Sequence, residues 1–233
     1  ADDNQHKVAA QDHTCHSDHP AQQRENLAAQ LAALAFAQLL RQLFICHVRS
    51  LPSHTHCSGS GYIRGTYRGL TTELCTVRLT EVSEFQREET GLWEKNEREV
   101  YTGQWMLCQL NQEFPTWLTI WPRDRLDQLL RAKTIKTGNE TFDKRFNLSS
   151  DDEAAALRIL NPDRIERIMA LEDSSFGRFA VNLNRDGRLY LAVHSGHGFF
   201  DIGKGRETPE QLRVRFTREL EWFTDMIDAF RGV

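Results

Sequence analysis

Tyr101–Phe114 reads YTGQWMLCQLNQEF, and within it the run Val100–Gln109 sets aromatic and β-branched residues at the alternating spacing of a β-strand. Thr116–Trp121 repeats that character. Upstream, Leu74, Thr76, Arg78 and Thr80 fall on one face of a strand, while Cys75, Val77, Leu79 and Val82 fall near the other. Together with YIRGTYRG (residues 62–69), this segment predicts paired antiparallel strands. Downstream, Phe179–Leu183 and Arg188–Val193 flank NRDG at Asn184–Gly187, where glycine supplies the positive φ of a tight hairpin. Between the first strands, Gln86–Glu99 is charged, has neither helical nor strand period, and reads as a long solvated connection.

Helix signals surround this strand-rich centre. Leu27–Ile45, LAAQLAALAFAQLLRQLFI, lacks Gly and Pro and predicts a helix of about five turns. Gln30, Gln38, Arg41 and Gln42 interrupt its apolar surface, so burial against protein fits it better than a membrane span. A short helix is expected at Arg125–Ala132 after Pro122. Ser150 with Glu153 reads as a capping pair, and Asn161-Pro162 and Thr208-Pro209 with Gln211 mark two further starts. In the last helix Leu212, Phe216, Leu220, Phe223, Ile227 and Phe230 form an apolar stripe. The expected class is α+β: an antiparallel sheet covered by a long C-terminal amphipathic helix, with an N-terminal helix. The expected organisation is a flexible His-rich arm at 1–23, a helix and linker at 24–58, and an α+β domain at 59–233.

Three blocks also carry a resemblance. Tyr101, Gly103, Asn111 and Phe114 come first; Phe146, Ser149, Asp151, Ala155, Leu160 and Pro162 follow; Leu189, Tyr190 and Ala192 close the series. Over roughly residues 59–202 the chain resembles the bacterial family of domains of unknown function numbered 3137. The resemblance implies a fold without an assigned chemistry. It also implies a membrane-associated setting, because members of that family often carry spanning segments ahead of the domain.

Composition narrows the classes of function. Hydrophobic residues at 39% and charged residues at 27% are those of a globular domain able to bury a core. A net charge of −4 gives no basic field for gathering phosphates, which excludes nucleic acid as a default partner. Five cysteines without repeated spacing predict reduced thiols. No apolar leader follows Ala1, so the expected location is the cytoplasm or the cytoplasmic face of a membrane.

The candidate chemistry is thin. His13, Cys15, His16 and His19, with His54, His56 and Cys57, supply imidazole and thiolate ligands suited to zinc. Their spacing matches no standard zinc pattern, and a solvated His-rich arm is the plainer account. His194, Ser195 and His197 set a serine beside two histidines, yet adjacent strand residues point to opposite faces and no acid is evident to orient a base. Asp151, Asp152 and Glu153 sit where a helix start rewards negative charge, and Gly203–Arg206 is too short for a phosphate loop. Trp93 falls in the charged connection, and packing across a sheet edge is the expected explanation for it. No catalytic residue and no cofactor are therefore expected, with zinc as the alternative. The expectation is a non-enzymatic domain that binds a protein partner, self-associates or docks at a membrane surface. A metal-dependent hydrolase and a subunit of a larger assembly are the rival readings.

Overall fold

The computed structural model describes residues 54–87, 91–123, 134–199, 201–202 and 207–232. The expected arm at 1–23, the helix at Leu27–Ile45 and the short helix at Arg125–Ala132 lie outside the described residues. Strands β1 (His56–Tyr67), β2 (Leu70–Gln86), β3 (Trp93–Gln109), β4 (Leu118–Pro122), β5 (Phe146–Ser149), β6 (Arg178–Leu183) and β7 (Arg188–His194) form one antiparallel sheet. Its order is β1-β2-β3-β7-β6-β4-β5. The helices are α1 (Glu140–Arg145), α2 (Glu153–Ile159), α3 (Pro162–Asp173) and α4 (Pro209–Phe230). β1 begins at His56, ahead of the boundary expected at Ser58, because His56 and Cys57 already pair with Thr80 and Leu79.

The alternation in β2 decides which side chains meet the helices. Leu70 and Leu74 join Met106, Cys108, Leu118, Ile120, Val181 and Leu191 in one large cluster. Phe142 of α1, Ile159 of α2, Ile168 of α3 and Phe223 of α4 complete it from the helical layer. Cys75, Val77 and Leu79, one residue out of phase, join Tyr101, Trp105 and Tyr190 in a second cluster on the opposite face. A single-residue slip of β2 would exchange these two sets.

The charged segment Gln86–Glu99 is not a connection. Its first residue ends β2 and most of the rest begins β3, with a paired register running from Glu81↔Arg98 to Gln86↔Trp93. The strand period was invisible because a ribbon solvated on both faces needs no apolar face. Cross-strand charge supports the pairing instead, with Arg98 Nη2 bonded to Glu81 Oε2 at 2.6 Å and Arg87 Nε to Glu94 Oε1 at 3.0 Å.

Two of the three expected caps form as written. The Asn161 side chain accepts from Arg164 N, and Thr208 and Gln211 build a reciprocal capping box. The third differs: Asp152, not Ser150, caps α2 by accepting from Ala155 N at 2.9 Å. Ser150 Oγ donates instead to Trp117 O at 2.5 Å, tying the entry of α2 to the start of β4. At the far end of the same layer, buried Arg164 donates to Ala229 O (2.7 Å) and Ile159 O, and its guanidinium lies over the Phe230 ring. One cation thus satisfies carbonyls at the C-terminal ends of α4 and α2.

The apolar stripe of α4 is buried only in its second half. Trp222, Phe223, Met226, Ile227, Ala229 and Phe230 are buried, whereas Leu220 is 39% exposed. Trp222 Nε1 donates to Leu171 O at 2.8 Å, which docks this half on α3. Ile227→Ala is therefore expected to lower unfolding free energy by about 2–5 kcal/mol, while Leu220→Ala costs less than about 1 kcal/mol, as read by chemical denaturation. Equal losses in the two variants would place the buried face of α4 elsewhere.

Candidate functional site

Two features stand apart from the core. The first is the outer half of the β2–β3 ladder. β1 pairs with β2 only as far as Thr80, and β7 pairs with β3 only from Gln104 onward. Among the described residues, the segment Glu81–Gln86 and Trp93–Arg98 is therefore a two-stranded arm with six pairs. Near its tip Trp93 is 71%, Leu92 66% and Phe85 48% exposed. Gln86 pairs with Trp93 and Phe85 with Glu94, so Phe85 and Trp93 point to opposite faces of the ribbon. Trp93 does not pack across a sheet edge as expected; it stands in solvent.

The second feature is a cleft of about 510 Å³ between α4 and the loop that follows β7, lined by Ser174, Phe176, His197, Val214, Arg218 and Glu219, among others. Glu219 is 2% exposed and points inward from α4. Its Oε1 lies 3.3 Å from Arg215 Nη1 and 3.9 Å from His197 Nε2, while Oε2 has no hydrogen-bond partner among the described residues. Burial pushes the Glu219 carboxyl above its ordinary value, and the neighbouring His197 and Arg215 oppose that rise without cancelling it. The loop is held in place by Gly196 N donating to Thr102 O (2.9 Å) and Phe199 N donating to Thr76 Oγ1 (2.8 Å).

Glu219 is the buried acid that sequence reading missed. It hides in a helix whose exposed face is also acidic, and only the docking of α4 turns it inward. Even so, the neighbouring serine is not activated. Ser195 Oγ donates to Gln104 Oε1 at 2.8 Å, and neither imidazole is among its partners. His194 stacks on Tyr101 on the opposite face of the sheet, with centroids 4.8 Å apart, and His197 Nδ1 lies 3.1 Å from Gly198 O. A nucleophile needs its base within hydrogen-bond reach, and this arrangement lacks that contact.

Of the sequence-predicted ligands, His54, His56 and Cys57 are among the described residues. His54 precedes β1, and His56 and Cys57 are neighbours on it, so His56 is exposed while Cys57 packs on the second cluster. Burial pushes the Cys57 thiol up to about 11, away from the thiolate that binds metal. Among the described residues no group of three His, Cys, Asp or Glu side chains could hold a metal ion. His13, Cys15, His16 and His19 lie outside the described residues. So does Gly203–Arg206. Of the acidic trio, Asp152 caps α2, and Asp151 accepts from Thr116 Oγ1 and from Arg185 Nη2 (2.6 Å); the Thr116 hydrogen bond and the Arg185 charge lower its pKa.

Residues 99–231, more than half of the chain, match the family model described as "Protein of unknown function (DUF3137)". The chain belongs to this family. The match begins after the arm tip, leaving β1, all of β2 and the first residues of β3 ahead of it. No curated protein matches. A solved structure, that of the mycobacterial trehalose monomycolate transport factor A, TtfA, is similar at 10% identity with a TM-score of 0.41, over 78% of this chain and 76% of that one. Likeness at that level carries no argument about function. No helix among the described residues is long and apolar enough to cross a membrane.

The positions that carry the family pattern serve the fold. A Cβ on Gly103 would lie 1.9 Å from Val193 O, so only glycine lets β3 and β7 approach there. Asn111 takes φ +53, a left-handed conformation that asparagine tolerates, at the exit of β3. Ala155, Leu160, Leu189 and Tyr190 are buried.

The cleft has a pH signature. Because Glu219 holds its proton more tightly in the folded chain, its contribution to stability is full below the ordinary carboxyl value of 4.5 and is lost as pH rises through the raised folded value. Denaturation of the wild type is thus expected to show stability falling with pH across this window, and Glu219→Gln should flatten that slope. Glu219→Ala, which leaves Arg215 without this acceptor, is expected to cost about 1–3 kcal/mol. A slope unchanged by Glu219→Gln would assign the titration to other groups.

Proposed function

We propose that the protein is a non-enzymatic domain that binds a protein partner through the tip of its β2–β3 arm. The observation that carries this reading is the exposed trio Phe85, Leu92 and Trp93 at the end of a ribbon whose two strands, among the described residues, pair there with no other strand. Scattered exposed apolar side chains are ordinary, but three large ones gathered at a projecting tip, with a tryptophan among them, have the composition of an interface anchor. Charge favours protein over membrane: residues 81–99 hold seven glutamates against Arg87, Lys95 and Arg98. Such an arm is repelled by an anionic bilayer and attracted to a basic rim around an apolar pocket. Catalysis has no comparable support, since Ser195 is bonded to Gln104 rather than to an imidazole.

In-cell photocrosslinking tests the proposal. A benzophenone side chain in place of Trp93 is expected to give a discrete protein adduct, absent when the same group replaces exposed Arg218 on α4. Phe85→Ser with Leu92→Ser should abolish the adduct while shifting stability by no more than about 0.5 kcal/mol, the usual effect of surface substitutions. An adduct to a second copy of this chain would identify self-association as the contact. Adducts to lipid alone, or none, would overturn the reading.

A further inference from the structure

At the edge of the sheet farthest from β1, the end of β4, the start of β5 and the start of β6 enclose a cleft of about 810 Å³. Arg123, Lys144, Arg145 and Arg178 line it, against the single carboxylate of Glu172. Its apolar lining comes from Phe146 and Phe179, both buried in the helix-side core, with ring centroids 5.3 Å apart. We infer that this cleft binds a phosphoryl group, presented either as a free phosphate or as a lipid headgroup.

The arginines are held for the task rather than merely present. Pro122 pairs with Phe146 in the β4–β5 ladder, and one step beyond it Arg123 N donates to Arg145 O at 2.8 Å. That bond sets the two arginines side by side. Arg145 is braced from the C-terminal end of α3 by Glu172 Oε2 (2.8 Å) and Asp173 Oδ1 (3.0 Å). Both bonds leave from Nη1, so its Nε and Nη2 donors remain for a ligand.

Arg123 Nε is buried and has no hydrogen-bond partner among the described residues. A desolvated guanidinium donor is costly unless an acceptor reaches it, and an anion in the cleft would supply one. Arg178 is exposed at the mouth. Lys144 meets Glu140 at 3.3 Å with both side chains well exposed, a contact that water and salt largely screen. Four cations less Glu172 and Asp173, which brace Arg145, and Glu140, which meets Lys144, leave a net positive charge of about +1, which favours a phosphate monoester of about −1.5 to −2 at neutral pH.

Titration calorimetry of the full chain at low ionic strength tests this with two probes: inorganic phosphate, and phosphatidylcholine vesicles with and without phosphatidic acid. Saturable binding is expected to one or both, weakened about tenfold by Arg178→Gln and by Arg123→Gln. Arg178 is a surface side chain, so that variant should keep the wild-type melting temperature and remain informative even if Arg123→Gln unfolds. Arg68→Gln, in the separate cluster with Arg167 and Arg231, should bind as the wild type does. Binding of inorganic phosphate alone identifies a soluble phosphoryl ligand, and binding of phosphatidic acid vesicles identifies a headgroup. Absence of saturable binding to either probe overturns the inference. So does binding that survives Arg178→Gln, or that Arg68→Gln weakens equally.

Discussion

The ladder between β2 and β3 is the constraint on which the rest of the molecule depends. Two strands of 17 residues pair from Thr72↔Cys108 to Gln86↔Trp93, but only their inner parts find further neighbours. Where β1 and β7 flank them, the ladder forms the sheet and sorts its side chains into two buried clusters. Where those neighbours end, the same hydrogen bonds continue as an arm. Long edge-like ribbons invite association, and the charges along this one restrain unspecific pairing while its apolar tip stays available.

Buried polarity organises the helical layer. Arg164 bonds to carbonyls at the ends of two helices, and Trp222 bonds to a third helix. Gln104, fully buried, links Ser195 to the loop around His197. These bonds fix where α4 lies, and that placement carries Glu219 into a cleft. Its raised pKa follows from the fold, because the carboxylate belongs to a helix that must be docked by its other residues.

The acidic arm and the basic cleft lie on opposite lateral sides of one sheet, although the chain as a whole is only modestly acidic. Net charge therefore says little about either surface. The close approach of β3 and β7 at Gly103 and the left-handed turn at Asn111 maintain the sheet between them, which is why the family pattern falls on fold positions and gives no chemistry.

The sequence by itself determined the α+β class, the β6–β7 hairpin, the alternation of β2, and the caps at Asn161 and Thr208, because each depends on neighbours only a few residues away. Local signals could not decide the rest. The β2–β3 arm has no apolar face to betray its period, and Asp152 takes the cap from Ser150 because Ser150 is drawn to Trp117 across a sequence gap. Leu220 fits the apolar stripe yet is exposed, since the buried face of α4 runs through Glu219, Trp222, Phe223 and Met226 and passes it by. The clefts around Glu219 and Arg123 gather residues distant in sequence, and only strand order and helix docking bring them together. Trp93 could be singled out in the chain as unexplained by burial, but its standing at the tip of a projecting ribbon is a property of the tertiary structure alone.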